Sequence, residues 1–507
     1  MNKQQLAKKI WESANKMRSK IEASEYKDYI LGFIFYKFLS DREEDFLLKN
    51  DFAEEDIKSV NEEDAEIVEF VQSGLGYFIS YENLFSTWIN EGHDFDIANV
   101  RDALSAFSRL IGTNYKRVFD GIFQTLETGL SNLGSTAKEQ SKAVRDLLYL
   151  IKDIPMDDKQ DYDVLGFIYE YLISNFAANA GKKAGEFFTP AEVSTLLAKL
   201  TKSKPGARIC DPTCGSGSLL IKAGKEVGNS NFSLYGQEVN GSTWALAMMN
   251  MFLHGFDNAV IRWGDTLRNP KLKENDQLMK FDTVVANPPF SLDKWGADEA
   301  ASDPYNRFWR GIPPKSKGDW AFISHMIEVA QEGSGKVGVV IPHGVLFRGA
   351  SEGKIRKHVI DENLLEAVIG LPANLFFGTG IPAAIAIFNK GKHTDNVLFI
   401  DASREYEDGK NQNKLRPEDI DHIVSVYHQF VSGQFKPGVV EDKYAFVATP
   451  ADIQENDYNL NIPRYVDTFE EEAEVDIPAV QKEIDALEAE LAEVQAKMKG
   501  YLKELGY

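Results

Sequence analysis

The residues Asn287-Pro288-Pro289-Phe290 have the types and spacing needed to hold an exocyclic amino group for alkylation. An aromatic amine such as adenine N6 is a poor nucleophile, because its lone pair is conjugated into the ring. The side-chain oxygen of Asn287 and the main-chain carbonyl of Pro288 could each accept one amine hydrogen, which favours a pyramidal nitrogen with a free lone pair. Each proline fixes φ and removes a backbone donor, so the turn is stiff and presents acceptors. Phe290 adds a flat face for an unstacked base. The same four residues also read as an ordinary strand-to-loop turn, since Asn-Pro and Pro-Pro both punctuate elements.

Three acidic segments precede this turn. Asp211-Pro212-Thr213-Cys214-Gly215-Ser216-Gly217 follows a predicted strand, where a doubly wound fold binds a nucleotide-like ligand and where Gly215 and Gly217 let the backbone approach it. The spacing is shorter than a GxGxxG dinucleotide fingerprint. A carboxylate at Asp211 suits a cationic group, such as the amino group of S-adenosylmethionine, better than a pyrophosphate. The next strand ends at Glu238, where an acid can accept from both ribose hydroxyls. Asp265 follows a third strand and could accept from the amino group of a cofactor adenine. Taken singly, Glu238 and Asp265 read equally well as solvated loop acids. Their order carries the signal: Asp211, Glu238, Asp265 and Asn287 each follow a successive strand, so all converge on one sheet edge.

The elements that position these residues are legible as patterns. Short apolar strands are predicted at Ala207 to Cys210, Phe232 to Gly236, Ala259 to Arg262, Phe281 to Ala286, Val337 to Ile341, Leu365 to Ile369 and Ala383 to Phe388. Helices at Ser242 to His254 and Trp320 to Gln331 alternate with them. This alternation predicts a largely parallel α/β sheet with ligands at the strand carboxyl ends. Ahead of it, Thr189-Pro190-Ala191-Glu192 has the spacing of a capping box with proline at the first helical position. The first part of the chain reads as helical, from Leu6, Ile10, Met17 and Ile21 through Tyr29 to Leu39 and on to Ala143 to Ile151. At the other end, Ile484, Leu487, Leu491, Val494, Met498, Tyr501 and Leu505 keep a heptad rhythm, as in a coiled-coil-like helix that packs on its own domain or on a partner. The boundaries predicted are 1–160 for a helical domain, 161–470 for the α/β domain and 471–507 for the terminal helix.

Composition narrows the class. With 507 residues the chain can bury a substantial core, and 78 Asp+Glu against 56 Lys+Arg give a net charge of −22. Such a balance repels a phosphate backbone, so if DNA is the substrate another chain should supply most of the affinity. Cys210 and Cys214 lack the spacing of a disulfide framework or a zinc site, and no metal is expected. The amino terminus does not read as a signal peptide, and Tyr29 to Leu39 is too short to span a bilayer. The expectation is a soluble, cytoplasmic protein with no membrane association.

Taken together, Phe187-Phe188-Thr189-Pro190, Asp211 to Gly217, Asn287 to Phe290, Ile341-Pro342-His343-Gly344-Val345-Leu346-Phe347, Asp457-Tyr458-Asn459-Leu460-Asn461 and the helical region around Tyr26 to Asp41 resemble the methylation subunits of type I restriction-modification systems. Those are S-adenosylmethionine-dependent DNA adenine-N6 methyltransferases. The resemblance spans nearly the whole chain. It implies a Rossmann-like S-adenosylmethionine-dependent methyltransferase domain behind an α-helical N-terminal domain. Phe188 and Thr189 would border the methionine end of the cofactor, with Glu186 and Phe187 beside them in the cofactor-binding set. Asp211, Gly215 and Gly217 would form the cradle, with Thr213 and Ser216 in the same loop, and Glu238 and Asp265 would hold ribose and adenine. Asn287, Pro288, Pro289 and Phe290 would hold a flipped adenine. The partners implied are DNA, a specificity subunit that reads it, a restriction subunit that cleaves it, and two copies of this chain per specificity subunit.

Competing readings are a protein-glutamine or RNA methyltransferase, whose nitrogen could use similar acceptors, and a catalytically silent assembly subunit. Other residues are better explained structurally: His343 by a turn and His254 by a helix carboxyl end. Phe376-Phe377-Gly378-Thr379-Gly380 could add a second aromatic wall or form a hairpin with buried aromatics.

Overall fold

A ten-stranded mixed sheet organises the chain. The computed structural model describes residues 3–17, 26–155, 167–168, 171–172, 189–376, 380–409, 412–468 and 477–505. Its strands are β1 (Ala207–Asp211), β2 (Phe232–Glu238), β3 (Val260–Trp263), the small hairpin β4 (Lys273–Glu274) and β5 (Gln277–Leu278), then β6 (Thr283–Ala286), β7 (Lys336–Pro342), β8 (Leu365–Gly370), β9 (Ala383–Asn389), β10 (Val397–Asp401), β11 (Gly438–Glu441) and β12 (Ala445–Ala448). The hairpin stands apart, and the large sheet has the order β11-β12-β10-β8-β9-β7-β6-β1-β2-β3.

Five neighbours, β7-β6-β1-β2-β3, are parallel. Strands β6, β8 and β9 are almost wholly buried, which is why they read as unbroken apolar runs rather than alternating ones. The chain proceeds from β1 outward to β2 and β3, then crosses back to place β6 on the other side of β1. That reversal makes the gap between β1 and β6 the switch point of the sheet, where ligands of open α/β folds bind. The two strands pair only through Ile209 with Thr283 and Cys210 with Val284, so the ladder ends just short of Asp211 and Asn287.

The sheet is less parallel than its sequence suggests. β9 runs antiparallel between β7 and β8, and β12 runs antiparallel between β10 and β11. An apolar run such as Ala383–Asn389 has the same composition whichever way it points, so direction is invisible until its neighbours are known. Strands β10 to β12 were not anticipated, and Phe281 lies ahead of β6 as an isolated bridge to Ala330. The capping box expected at Thr189 is absent as well. The helix runs Ala191–Thr201 with Pro190 as its N-cap and no side-chain cap, because it starts one residue late and leaves Thr189 ahead of the cap position, where its hydroxyl accepts from Asn287.

The helix Gly241–Leu253 is buried along nearly its whole length because it is covered on two sides. One side lies on β2 and β3, and the other meets the amino-terminal helices. Phe252 is the centre of that contact. Its ring lies 6.0 Å from Phe35, 6.2 Å from Phe38 and 4.9 Å from Phe119, with the Arg42 guanidinium 4.9 Å over its face. The helix Tyr26–Lys49 that supplies Phe35 and Phe38 buries Tyr29 through Tyr36 and Leu39. No helix among the described residues is long and apolar enough to cross a membrane.

Residues Asp467–Tyr507 form a separate unit from Met1–Val466. Its helix, Ile477–Glu504, carries the heptad residues Ile484, Leu487, Leu491, Val494, Met498 and Tyr501, and with Leu505 they stand 43–74% exposed.

Phe252→Ala should cost about 3–5 kcal/mol, the usual range for deleting a buried aromatic. Urea denaturation of the full chain, compared with wild type, measures it.

Candidate active site

At the carboxyl end of β1 the backbone folds into a tight loop. The Thr213 N–H donates to Asp211 Oδ1 at 2.9 Å, the Gly217 N–H to the Cys214 carbonyl at 2.7 Å, and the Cys214 N–H to the Gln237 carbonyl at 3.0 Å. Gly215 and Gly217 have φ of +52° and +78°, a region that L side chains rarely adopt. The two glycines serve different purposes. A Cβ on Gly217 would stand 2.5 Å from Met251 Cε, whereas one on Gly215 would meet nothing within 4 Å. Gly217 lets the loop approach the helix Gly241–Leu253, and Gly215 faces open space that a ligand can fill.

Side chains from neighbouring strands clip this loop in place. Glu238 accepts from the Gly215 N–H at 3.0 Å and from the Asn240 N–H at 2.8 Å, tying the end of β2 to the loop. Buried Asn250 donates to the Ser216 carbonyl at 3.0 Å. After β3, Asp265 Oδ1 accepts from the N–H groups of Leu267 and Arg268, and its carboxylate lies 3.6 Å from the Arg268 guanidinium. The next residue, Thr266, donates its hydroxyl to the Pro212 carbonyl at 2.6 Å. Gln237 bridges the same region, donating to the Asn269 carbonyl and accepting from the Lys271 N–H. Buried Arg307 donates to Asp303 and to the carbonyls of Thr266 and Leu267, which fastens the long segment after β6 to the turn at Asp265.

Asp211 is 2% exposed. Burial, with the Glu238 carboxylate adding to it, pushes its carboxyl from 3.8 up to about 8 against the lowering effect of the Thr213 N–H. A buried acid in this state is primed for a cationic neighbour, which would favour the charged form.

Across the switch point, Asn287 donates its amide Nδ2–H to Thr189 Oγ1 at 2.9 Å, with the amide nitrogen turned toward that hydroxyl. Pro288 is buried, and Pro289 and Phe290 are half-buried. Phe290 packs at 6.1 Å and 65° against buried Phe376. Phe376 therefore backs the first aromatic rather than forming a second open wall. Immediately beyond, Ser291 has φ +53°, and its N–H donates to Asp319 Oδ1 at 2.8 Å.

Thr213, Gly215, Ser216, Gly217, Asp211 and Glu238 thus form one bonded cluster, and Asp265 joins it through Thr266. Thr189 and Asn287 form a second cluster on the adjacent strand end. Glu186, Phe187, Phe188 and Phe377 lie outside the described residues. Sequence reading missed Gln237, Asn250 and Thr266, since a buried amide or hydroxyl on an apolar element announces no partner. His343 bonds the Ala383 carbonyl at 3.2 Å, and His254 bonds the Asn250 carbonyl at the end of its helix, both structural roles. Both cysteines are free and buried, and no metal-binding cluster occurs among the described residues.

The parallel strands, the glycine loop between them and the acids at their ends are the arrangement of a Rossmann-like methyltransferase, here preceded by a helical domain. Residues 160–474 match the N-6 DNA Methylase family and residues 6–151 the HsdM N-terminal domain. The type I restriction enzyme MpnII methylase subunit of Mycoplasma pneumoniae is 32% identical over 531 residues, covering 98% of this chain and 96% of the relative. The MjaVIII methylase subunit of Methanocaldococcus jannaschii is 33% identical over 528 residues, covering 100% and 85%. The crystal structure of a type I restriction-modification system methyltransferase subunit from Streptococcus thermophilus aligns with a TM-score of 0.82 at 35% identity, over 92% of this chain and 100% of that one. The chain belongs to the N-6 DNA methylase family as a type I restriction-modification methylase subunit, an adenine-specific DNA methyltransferase.

A carboxyl whose pKa is higher folded than unfolded takes up a proton on folding, so its ionisation weakens the fold as pH rises between the two values. Asp211→Asn keeps an acceptor for Thr213 and removes that ionisation. Thermal melts of the ligand-free chain should show the variant gaining over wild type by an amount that is negligible near 3.8 and grows toward about 8.

Proposed function

We propose that this chain transfers a methyl group from S-adenosylmethionine to the N6 of a flipped adenine, with the choice of DNA sequence delegated to a separate specificity subunit. The observation that carries the reading is the position of Asn287 to Phe290 beside the glycine loop, on the adjacent strand end at the switch point.

Three features favour S-adenosylmethionine. Asp211 is a buried acid suited to an ammonium, Gly215 leaves room against the loop, and Glu238 and Asp265 follow on successive strand ends. In this reading Asp211, Thr213, Gly215, Ser216 and Gly217 cradle the cofactor with Glu186, Phe187, Phe188 and Thr189 at its methionine end, while Glu238 takes the ribose and Asp265 the adenine. When bound, the cofactor supplies an electrophilic methyl group.

The chain's own work is to position the amine. Extruding the base costs a few kcal/mol. Asn287 Oδ1 and the Pro288 carbonyl each accept an N6 hydrogen, which frees the nitrogen lone pair for attack. The hydroxyl of Thr189 holds the other half of the Asn287 amide and so turns its oxygen toward the amine. Pro289 keeps the turn rigid and Phe290, braced by Phe376, stacks on the base. Orientation and electrostatics supply the rate, with no covalent enzyme intermediate.

The assembly follows from charge and from the terminal helix. A net charge of −22 opposes DNA, so affinity comes from the partner. The exposed heptad face of Ile477–Glu504 offers an apolar seam for the specificity subunit, with two copies of this chain per specificity subunit and a restriction subunit completing the complex.

Asn287→Ala should keep cofactor binding, measured by calorimetric titration, and lose methyl transfer in the assembled complex. Undiminished N6-methyladenine in digested DNA would sink the assignment. Leu487→Asp with Leu491→Asp should abolish co-purification with the specificity subunit while cofactor affinity stays at the wild-type value.

A further inference from the structure

We infer that Asp319, held by Arg348, is a positioning residue for methyl transfer: it fixes the backbone at Ser291 and thereby the preceding Asn287 to Phe290 turn. This rests on the reading of that turn as the one that holds the target base.

Ser291 sits at φ +53°, a left-handed conformation that costs a residue with a Cβ free energy and persists only when its surroundings impose it. Two contacts impose it: the Ser291 N–H donates to Asp319 Oδ1 at 2.8 Å, and at the next residue the Leu292 carbonyl accepts from the Gly318 N–H at 3.0 Å. Asp319 opens the helix Asp319–Val329 and is 3% exposed, so its carboxylate is held by the rest of the molecule rather than by water. Its second oxygen accepts from Arg348 Nη1 at 3.0 Å, and the same nitrogen donates to buried Glu352 at 2.9 Å. The arginine is therefore clamped between two carboxylates, one on the catalytic side and one on the helix Ala350–Asp361.

The clamp continues outward to a part of the chain that the proposed chemistry does not use. Arg356, 4% exposed, donates from Nη1 to the carbonyl of Arg348 at 2.9 Å and from Nε to the carbonyl of Tyr458 at 2.6 Å. The Leu460 N–H donates to the Leu346 carbonyl at 2.9 Å. Two segments singled out in the sequence, Ile341 to Phe347 and Asp457 to Asn461, are thus bolted to each other and, through Arg348 and Asp319, to the residue that follows Phe290. None of Asp319, Arg348 and Arg356 reaches the target turn itself. Their effect passes through one backbone N–H.

This relay has a specific signature. Asparagine at 319 cannot keep the two contacts on separate oxygens, as Asp319 does with Oδ1 for the Ser291 N–H and Oδ2 for Arg348, because one of its two ends is a donor. Asp319→Asn should lower kcat in the assembled complex by about tenfold to a hundredfold, the scale of a small misplacement of reacting groups, with cofactor affinity and Tm close to wild type. Glycine adopts φ > 0 without strain, so when both enzymes also carry Ser291→Gly, the loss caused by Asp319→Asn should shrink to less than about threefold (well under one factor of ten in rate). A carboxylate needed for folding or for cofactor binding would show no such rescue. Wild-type kcat in Asp319→Asn, an undiminished loss in the Ser291→Gly background, or a loss of cofactor binding overturns the proposal. Should Asp319→Asn not fold, Arg348→Met reads the same relation, since it keeps the aliphatic stem and removes the one nitrogen that bonds both Asp319 and Glu352. Asn287→Ala, run in parallel, separates the two readings: if it is fully active the target turn is misassigned, and if it is inactive while Asp319→Asn is active only the relay fails.

Discussion

The short pairing between β1 and β6 is the constraint on which the rest of this structure depends. Two residue pairs join the strands, and past Cys210 and Val284 the ladder stops. The chain has gone one way from β1 to reach β2 and β3 and must return over it to form β6, so the loops leaving β1 and β6 part in opposite directions. A crevice opens between them as a consequence of connectivity. Within the described chain, Asp211 and Glu238 end strands of this sheet, Thr213 to Gly217, Asp265 and Asn287 to Phe290 follow strands β1, β3 and β6, and Thr189 stands just ahead of the helix Ala191–Thr201.

Open loops at a sheet edge are mobile by default, and this molecule counters the tendency with polar clips. Glu238 on Gly215, Thr266 on Pro212, Asn250 on Ser216, Gln237 on the segment after Asp265 and Arg307 on Thr266 and Leu267 are each long-range hydrogen bonds, and most are buried or half-buried. Each contributes about 0.5–1.5 kcal/mol net, but leaving one partner unsatisfied in a buried place costs more than that. The pattern therefore specifies geometry more than it adds stability. Thr189 belongs to the same logic: it stands ahead of the helix cap position, and its hydroxyl accepts from the Asn287 amide. A helix start without a side-chain cap costs on the order of 1 kcal/mol.

Among the described residues, the helical domain meets the helix Gly241–Leu253 beside the site. Gly241–Leu253 carries Phe252 toward the amino-terminal aromatics and Asn250 toward the glycine loop, two residues apart in sequence and on different sides of the chain's architecture. Packing of the amino-terminal region thus bears on the loop that Ser216 and Gly217 form. The buried carboxyl of Asp211 shows the opposite strategy, an unfavourable group retained where a cationic ligand would offset its burial.

The sequence alone determined the α/β class and the strand ends that the candidate site residues occupy. Asp211, Glu238, Asp265 and Asn287 were legible because acids, glycines and prolines at strand ends interrupt apolar runs, and the runs themselves show where strands lie. All seven strands expected from pattern are present within a few residues of their expected bounds. What only the tertiary structure decided is direction and partnership. β9 is as apolar as β7 and β8 on either side of it, and nothing in its composition says that it runs against them. Thr189 read as a cap because Glu192 stands three residues on, but the helix begins one residue late and the hydroxyl accepts instead from Asn287, 98 residues away. Nothing in the sequence pairs Asp319 with Arg348 or with the Ser291 N–H, contacts that span 29 and 28 residues. A local pattern reports the period of burial along one segment, while a buried polar contact is a property of two segments, and the fold alone brings them within reach.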